Sequence, residues 1–248
     1  MKFASFDLEI AKVIENDTPD WRSQTPLGIT CAAAALTDRD DPLYWYGKPQ
    51  MTQKECCDLV TALKDLVDSG YVLLTWNGSS FDFNVLAEES GMYKECAELN
   101  AKHIDMMMIV TFTKGYFLGL QKALVGAGLS GKLKHVTLRD GTPLTDMNGA
   151  LAPKLWADGE YDAVLAYLRD DVMQPLRLAE IIERDRIIRW TSNAGKPQCV
   201  HVPRLLCVEE CFSIPEPDTS WMTNPPTRRQ FVEWMLPYCT HPALAKLA

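Results

Sequence analysis

The sequence lacks any long apolar run and any closely spaced cysteine pair. No stretch approaches the ~20 apolar residues that a helix needs to cross a bilayer, and the N-terminus lacks the basic and apolar regions of a secretory signal. We therefore expect a cytoplasmic protein. Internal repeats and low-complexity tracts are absent as well. A chain of 248 residues with 47% hydrophobic and 23% charged residues is typical of a globular protein.

None of the eight cysteines lies in a Cys-x-x-Cys pair. Outside a secretory context, reduced thiols are the expected state. Cys199, His201, Cys207 and Cys211 are close along the chain, but their spacing fits no usual zinc pattern. Structural cysteines are the favoured interpretation, and a zinc site is the alternative.

The chain also lacks an excess of basic residues. Its 25 lysines and arginines stand against 33 aspartates and glutamates, for a net charge of −8. This argues against a protein that coats nucleic acid through a broad basic face. It does not exclude an enzyme that acts on nucleic acid, because metal-binding carboxylates add negative charge that bound cations offset. Contact with nucleic acid would then rest on local basic patches.

The order of the apolar segments predicts an α/β fold with a mixed sheet. Three segments have the pattern of strands joined by loops, at residues 1–10, 28–36 and 43–46. Because no helix separates them, we expect the sheet to begin with antiparallel pairs. A helix capped by Thr52 follows, and then a strand at residues 71–76. Because strand, helix and strand follow one another, we expect a parallel crossover here.

The second half of the chain reads as mostly helical. The expected elements are a helix at 81–89, a short strand at 103–105, a helical region over 106–188 with breaks near 126–131 and 141–143, and a short helix at 227–236. The best helix runs from Tyr161 to about Arg184. We expect residues 1–190 to form the main domain and residues 191–248 a C-terminal extension packed on it, whose function the sequence does not indicate.

An acidic pair interrupts the first strand. Asp7 and Glu9 lie two residues apart in an apolar segment, and side chains at that spacing share one face of a strand. Two like charges on a half-buried strand repel each other and are costly to desolvate. A divalent cation would remove that cost. The alternative is an acidic strand face that lies in water.

A further carboxylate follows the strand at 71–76. The turn at residues 77–80 delivers Asp82 to the first turn of a helix, and ligand sites of α/β sheets commonly lie at such strand ends. The alternative is an acid that only stabilises the positive end of the helix dipole.

The long helix carries the last acidic segment. Tyr167 and Asp171 are four residues apart and share a helix face next to the apolar stripe, which indicates a partly buried carboxylate. Asp170 points about 100° away, and we expect it in solvent. Taken alone, Tyr167 would also suit an ordinary position in an amphipathic core helix.

Together these segments resemble the DEDD-type 3′–5′ exonucleases, in the tyrosine-containing (DEDDy) branch. The matching motifs are D-x-E at Asp7, Leu8 and Glu9, N-x3-F-D from Asn77 to Phe81 and Asp82, and Y-x3-D at Tyr167 and Asp171. The form of the second motif is similar to that of the proofreading domains of B-family DNA polymerases. The motifs follow the family's order over about residues 1–185, and Ala166 stands where the histidine branch would place its histidine. The resemblance implies a ribonuclease H-like fold, with a mixed sheet flanked by helices.

The resemblance implies a site for two metal ions. Asp7 would bridge both ions, Glu9 and Asp171 would complete the ion on the nucleophile side, and Asp82 would hold the second ion. Tyr167 would orient the attacking water. The implied ions are Mg²⁺ or Mn²⁺, because both prefer oxygen ligands.

The resemblance also implies contacts with the substrate strand. Leu8 and Phe81 would wedge or stack against the terminal bases, and Asn77 would contact the backbone. Asp105 lies where related sequences often carry an acid, and we assign it a capping or supporting role.

The implied activity is hydrolysis of phosphodiester bonds from the 3′ end of single-stranded DNA, by a stand-alone exonuclease with no membrane partner. The motifs do not discriminate the sugar, so an RNA-trimming exoribonuclease is an alternative, although the second motif favours DNA. A non-catalytic module that binds nucleic acid or protein is a further alternative. The intact set of acids argues against it, because each buried acid costs stability without a cation.

Overall fold

The computed structural model describes residues 1–14, 20–239 and Leu244. The strands of its central sheet are β1 (Lys2–Ile10), β2 (Ile29–Leu36), β3 (Leu43–Tyr46), β4 (Tyr71–Thr75) and β5 (Ile104–Asp105). Their order across the sheet is β3-β2-β1-β4-β5. Strand β1 pairs antiparallel with β2, and β2 with β3, whereas β1 pairs parallel with β4, and β4 with β5. The predicted α/β mixed sheet is confirmed, including its antiparallel start.

Helices pack on both faces of this sheet. They are α1 (Gln53–Asp68), α2 (Asp82–Ser90), α3 (Tyr93–Lys102), α4 (Met106–Lys114), α5 (Leu120–Gly126), α6 (Ala152–Ala157), α7 (Tyr161–Asp185) and α8 (Val208–Cys211). Thr52 caps α1 through a capping box with Glu55, as its sequence position predicts. In the part of the chain that the structure describes, no helix is long and apolar enough to span a membrane.

The alternation of side chains along β1 divides the core into two layers. Phe6 and Leu8 pack with α1 and α2 on one face. The opposite face meets the long helix α7, and here β2 contributes Cys31, Ala33 and Ala35, all fully buried. Because these three side chains are small, α7 can approach the sheet closely. This is the face toward which Asp7 and Glu9 point.

The region 106–188 is less helical than the sequence pattern predicts. Between α5 and α6 lies a two-stranded ribbon formed by β6 (Val136–Thr137) and β7 (Pro143–Leu144). Strands of two residues are too short to produce a periodic pattern, so this ribbon was not predicted. The expected long helix is confirmed as α7, with Pro175 inside it.

The segments after α7 fold back onto the main core. A hairpin of β8 (Ile187–Thr191) and β9 (Pro197–His201) crosses residue 190, where we expected a domain boundary. Further on, the indole Nε1 of Trp234 donates to the backbone oxygen of Ser79 at 2.8 Å. The helix expected at 227–236 is instead a pair of 3₁₀ turns, Arg229–Phe231 and Glu233–Tyr238. The end of the expected extension lies outside the described residues, apart from Leu244.

Candidate metal centre

Strand β1 carries two of the candidate ligands toward α7. Glu9 is buried and Asp7 is partly exposed. Glu9 stands opposite Cys31 of β2, and its charge adds to the effect of burial in raising the pKa of that thiol. Glu9 and Cys31 therefore share the α7 face of the sheet, as the period of the strand requires.

Helix α7 supplies the third carboxylate. The ligand oxygens of Asp7, Glu9 and Asp171 all lie within 4.8 Å of one another. Among the described residues, no other group of three or more metal-ligating side chains converges in this way. Tyr167, one turn earlier on α7, is 2% exposed, and its hydroxyl interacts with the carboxylate of Asp171. The predicted sharing of a helix face by Tyr167 and Asp171 is thus confirmed.

Asp82 approaches the same place from the start of α2, beside the three converging acids. Its Oδ1 accepts the backbone N–H of Leu8 at 3.2 Å, and its side chain interacts with that of Asp7. The carboxylate is 3% exposed. Its place in the first turn of a helix gives it the favourable end of the helix dipole.

The turn that presents Asp82 is fixed by a second buried acid, Asp105. Its Oδ1 accepts the backbone N–H of Asn77 at 3.0 Å, and its Oδ2 accepts that of Ser79 at 3.0 Å. Oδ1 also accepts the N–H groups of Met107 and Met108 at the start of α4. Asp105 therefore caps one helix and braces the turn before another, which agrees with the capping and supporting role expected for it.

The site is electrostatically costly without a cation. Burial raises the pKa of Asp7 well above its ordinary value, and the charges of Asp82, Asp171 and Glu9 raise it further. Burial likewise raises the pKa of Glu9, mainly reinforced by Asp171. Burial raises the pKa of Asp82 to about 7, although the hydrogen bond from Leu8 opposes the shift. Each carboxylate is therefore held where its charged form is disfavoured.

Lys132 is a member of the site that the sequence patterns did not single out. Its ammonium lies 2.9 Å from Oδ2 of Asp171 and 5.2 Å from the centre of the Tyr167 ring. Burial opposes the charged form of Lys132, but the carboxylates of Asp171, Asp7 and Glu9 outweigh it and raise the lysine pKa. Only the spatial arrangement reveals this cation, because it lies in an irregular loop between α5 and β6.

The loop that carries Lys132 is anchored on both sides. Gly131, with φ +87°, occupies the left-handed region, and a Cβ there would stand 2.3 Å from the side chain of Gln121. The carboxylate of Asp170 accepts the backbone N–H of Leu133 at 2.8 Å and an amide N–H of Gln174 at 3.1 Å. Asp170 is therefore half-buried against this loop, and the expectation that it lies free in solvent was wrong.

The donor set fits a hard divalent cation. Oδ1 of Asp171 is buried and has no hydrogen-bond partner among the described residues. Three carboxylates that repel one another at close range, together with an unsatisfied oxygen, are the arrangement that a bound cation would complete. One lysine ammonium offsets only part of their combined charge.

The three residues expected to contact a substrate strand lie in different settings. Phe81 lines the cleft of about 320 Å³ over the carboxylates and meets the Trp21 ring edge-on at 5.0 Å. Leu8 also borders this cleft, but it is 4% exposed and packs into the layer opposite Asp7. Asn77 takes a left-handed backbone with φ 75°, and its Oδ1 accepts the hydroxyl of Ser80 at 2.7 Å. Their substrate-binding roles stay predictions.

The cysteine and histidine cluster considered for zinc does not assemble. Cys199 and His201 lie on β9, and Cys207 caps α8, which contains the buried Cys211. Within the described ranges, these four residues form no group with ligand atoms close enough to share an ion. The structural interpretation of the cysteines is therefore the one that the geometry favours.

A protein-family model described as the RNase_H superfamily matches residues 28–183. The matched region is more than half of the chain and contains Asp82, Lys132, Tyr167 and Asp171, while β1 with Asp7 and Glu9 precedes it. No curated protein matches significantly. Proteins of this superfamily are generally nucleases that act on nucleic acid with divalent metal ions.

Proposed function

Because the chain belongs to the RNase H superfamily, we propose that it is a DEDD-type exonuclease that removes nucleotides from the 3′ end of single-stranded DNA. The observation that carries this proposal is the convergence of Asp7, Glu9 and Asp171 within 4.8 Å, beside Tyr167 and Asp82. A set of four acids and a tyrosine on these elements supports metal-dependent hydrolysis of a phosphodiester.

Four carboxylates would share the binding of Mg²⁺ or Mn²⁺. Asp7 interacts through its side chain with Asp82, and its ligand oxygen lies within 4.8 Å of those of Glu9 and Asp171, so it adjoins both groups of acids. That position supports the bridging role for Asp7. Glu9 and Asp171 would complete one ion, and Asp82 would serve the second. Two divalent ions, when bound, would polarise the scissile phosphate and activate the attacking water.

Tyr167 is suited to orient the attacking water. Burial raises the pKa of its hydroxyl, and the charge of Asp171 raises it further, so the hydroxyl stays protonated. A protonated hydroxyl can donate one hydrogen bond and accept another. It can therefore hold a water in a fixed orientation without itself serving as a base.

The terminal nucleotide would enter the cleft over the carboxylates. Phe81 offers an aromatic surface at its border, and Trp21 supports that ring from the side. Stacking against such a ring tolerates every base, which suits an enzyme that shortens strands of any sequence. Leu8 and Asn77 are proposed to wedge the terminal base and to contact the backbone.

Two labelled strands test the polarity. With Mg²⁺ or Mn²⁺, a 5′-labelled oligodeoxynucleotide should yield a ladder of shortened products, and a 3′-labelled one should release labelled mononucleotide first. A matched oligoribonucleotide tests the sugar, and faster cleavage of the RNA would favour the exoribonuclease. Asp65→Asn, an exposed acid on α1, is the matched control for substitutions in the site. Release of internal fragments from the 5′-labelled strand, with no ladder, would contradict the proposal.

A further inference from the structure

A second cleft, of about 580 Å³, opens beside the metal centre. Its principal walls are Tyr46, Lys48, Arg139, Trp156 and Tyr161, and we name it the edge cleft because Tyr46 lies on the outer strand β3. Its lining residues and those of the cleft over the carboxylates are different. Its volume lies in the range of ordinary ligand sites.

Aromatic side chains form one side of the edge cleft. The ring of Trp156 is buried and meets Tyr161 edge-on at 4.7 Å and Tyr46 at 6.4 Å. Its indole Nε1 donates to the backbone oxygen of Gly47 at 3.1 Å, which fixes the ring against β3. Tyr46 itself is 51% exposed. The cleft therefore offers an open aromatic surface on a rigid support.

Cationic side chains complete the edge cleft. The ammonium of Lys48 stands 3.9 Å from the centre of the Tyr161 ring, and Arg139 projects from the turn between β6 and β7. Neither forms an ion pair with a described carboxylate. Glu160 and Asp162 also border the cleft, and Glu160 is engaged with the backbone N–H of Arg139 at 2.6 Å. An exposed aromatic ring beside cations that form no ion pair suits bases and phosphates.

The register of the sheet ties this cleft to the metal centre. Glu9 stands opposite Cys31, and Cys31 stands opposite Tyr46. Residues opposite one another share a face, so Glu9 and Tyr46 both point to the α7 side, about 10 Å apart over two strand spacings. Tyr161 and Asp171 lie on the same helix, about 15 Å apart along its axis. A few nucleotides of an extended strand span these distances.

We propose that the edge cleft binds the nucleotides on the 5′ side of the scissile bond, with a base stacked on Tyr46 and phosphates beside Lys48 and Arg139. This rests on the proposed function. In an enzyme that works at a 3′ end, the strand continues in one direction only, and it must leave the metal centre across the surface. The edge cleft lies on the same sheet face and carries the aromatic and cationic groups that such a strand requires.

Binding to a fluorescent octathymidylate tests the cleft in a common Asp7→Asn background, in which hydrolysis is removed. Tyr46→Ala should raise the dissociation constant about tenfold, whereas Tyr46→Phe should bind like its parent because the ring is kept. The double variant Lys48→Gln/Arg139→Gln should weaken binding and reduce the slope of log K against log salt by about 1.4, the value for two phosphate contacts. Lys54→Gln/Lys64→Gln, at two exposed lysines of α1 on the opposite sheet face, is the control that removes the same number of charges.

Kinetics of the enzyme with its native Asp7 provide a second readout. The preference for an octanucleotide over a dinucleotide, as a ratio of kcat/KM, should fall about tenfold in Tyr46→Ala and recover in Tyr46→Phe. Unaltered octathymidylate binding in both Tyr46→Ala and the double variant would overturn the proposal, as would a parent protein that does not bind the strand. Octathymidylate binding that is weakened by the cleft substitutions, together with no hydrolysis by the native enzyme in either Mg²⁺ or Mn²⁺, would support the edge cleft and overturn the proposed function.

Discussion

The ammonium of Lys132 lies 2.9 Å from Oδ2 of Asp171, inside a group of carboxylates that would otherwise repel one another. This one cation offsets part of the charge of the site in the absence of metal. It leaves Oδ1 of Asp171 buried without a partner among the described residues. Lys132 therefore reduces the repulsion between the carboxylates without neutralising the site.

Replacing Lys132 by methionine tests this balance. In EDTA, Lys132→Met should lower the free energy of unfolding by about 1–2 kcal/mol, less than the ~3–5 kcal/mol typical of fully buried pairs, because the lysine is one-third exposed. In Mn²⁺ the deficit should shrink, since the cation takes over the role of the ammonium. Urea unfolding in both conditions measures the difference. Lys134→Met, an exposed neighbour, is the control, and an equal deficit with and without Mn²⁺ would contradict this account.

Tyr167→Phe removes one hydroxyl and keeps the ring that packs in the core. We expect kcat to fall about 100-fold, because the attacking water loses its orientation. KM for the oligonucleotide should change little, since the hydroxyl is assigned no contact with the strand. Steady-state kinetics separate the two constants. An unchanged kcat would restrict Tyr167 to a packing role.

Asp105→Asn probes the support of the turn before Asp82. In the wild type both carboxylate oxygens of Asp105 accept backbone N–H groups of the turn. Asparagine keeps one of these acceptor oxygens and places an NH₂ donor opposite the other backbone N–H. We expect a loss of about 2–3 kcal/mol in the free energy of unfolding. Activity should also fall when measured below the melting transition, because Asp82 shifts with its turn. A stable variant with full activity would show that the turn keeps its conformation without the Asp105 carboxylate.

His103, which lies outside the candidate metal centre, predicts a pH dependence of the free energy of unfolding. Its Nδ1 lies 2.7 Å from the backbone oxygen of Asn100 and so carries the hydrogen, while Nε2 lies 3.0 Å from the hydroxyl of Thr75. Burial lowers the pKa of His103 from 6.5 to about 4. Between pH 6.5 and about 4 only the unfolded chain takes up the proton. The stability that neutral His103 contributes to the folded protein is therefore complete above pH 6.5 and is lost as the pH falls toward 4.

The size of the His103 effect follows from its pKa shift. A pKa shift from 6.5 to about 4 corresponds to a loss of about 3 kcal/mol in the free energy of unfolding as the pH falls through this range. Other groups also titrate here, so the measurement is the difference between the wild type and His103→Gln at several pH values. The wild type should lose more stability on acidification than the variant. Parallel curves for the two proteins would refute the assignment.

Much of the site could be predicted because its residues lie on regular elements. The period of a strand places Asp7 and Glu9 on one face, and the period of a helix places Tyr167 and Asp171 on another. The sheet topology then brings the two faces together, and the antiparallel start and parallel crossover that determine it were readable from the order of strands and helices.

The rest of the site depends on irregular backbone. Lys132 lies in a loop held by Gly131 and by the Asp170 carboxylate, and no periodic pattern marks it. Asp170 itself was expected in solvent from the helical period alone, because the pattern contains no information about a loop packing against that side of α7. The edge cleft likewise depends on the ribbon of β6 and β7, whose strands are too short for sequence patterns to reveal.

The most direct test of the proposed metal-dependent exonuclease site is the shortening of a 5′-labelled single-stranded oligodeoxynucleotide by the wild type and by Asp171→Asn, each with Mn²⁺ and with EDTA. The wild type should produce a ladder in Mn²⁺ and none in EDTA, and Asp171→Asn should lose at least a hundredfold in rate because one proposed ligand loses its negative charge. An intact strand with the folded wild type in Mn²⁺, or equal rates for the two proteins, would contradict the account.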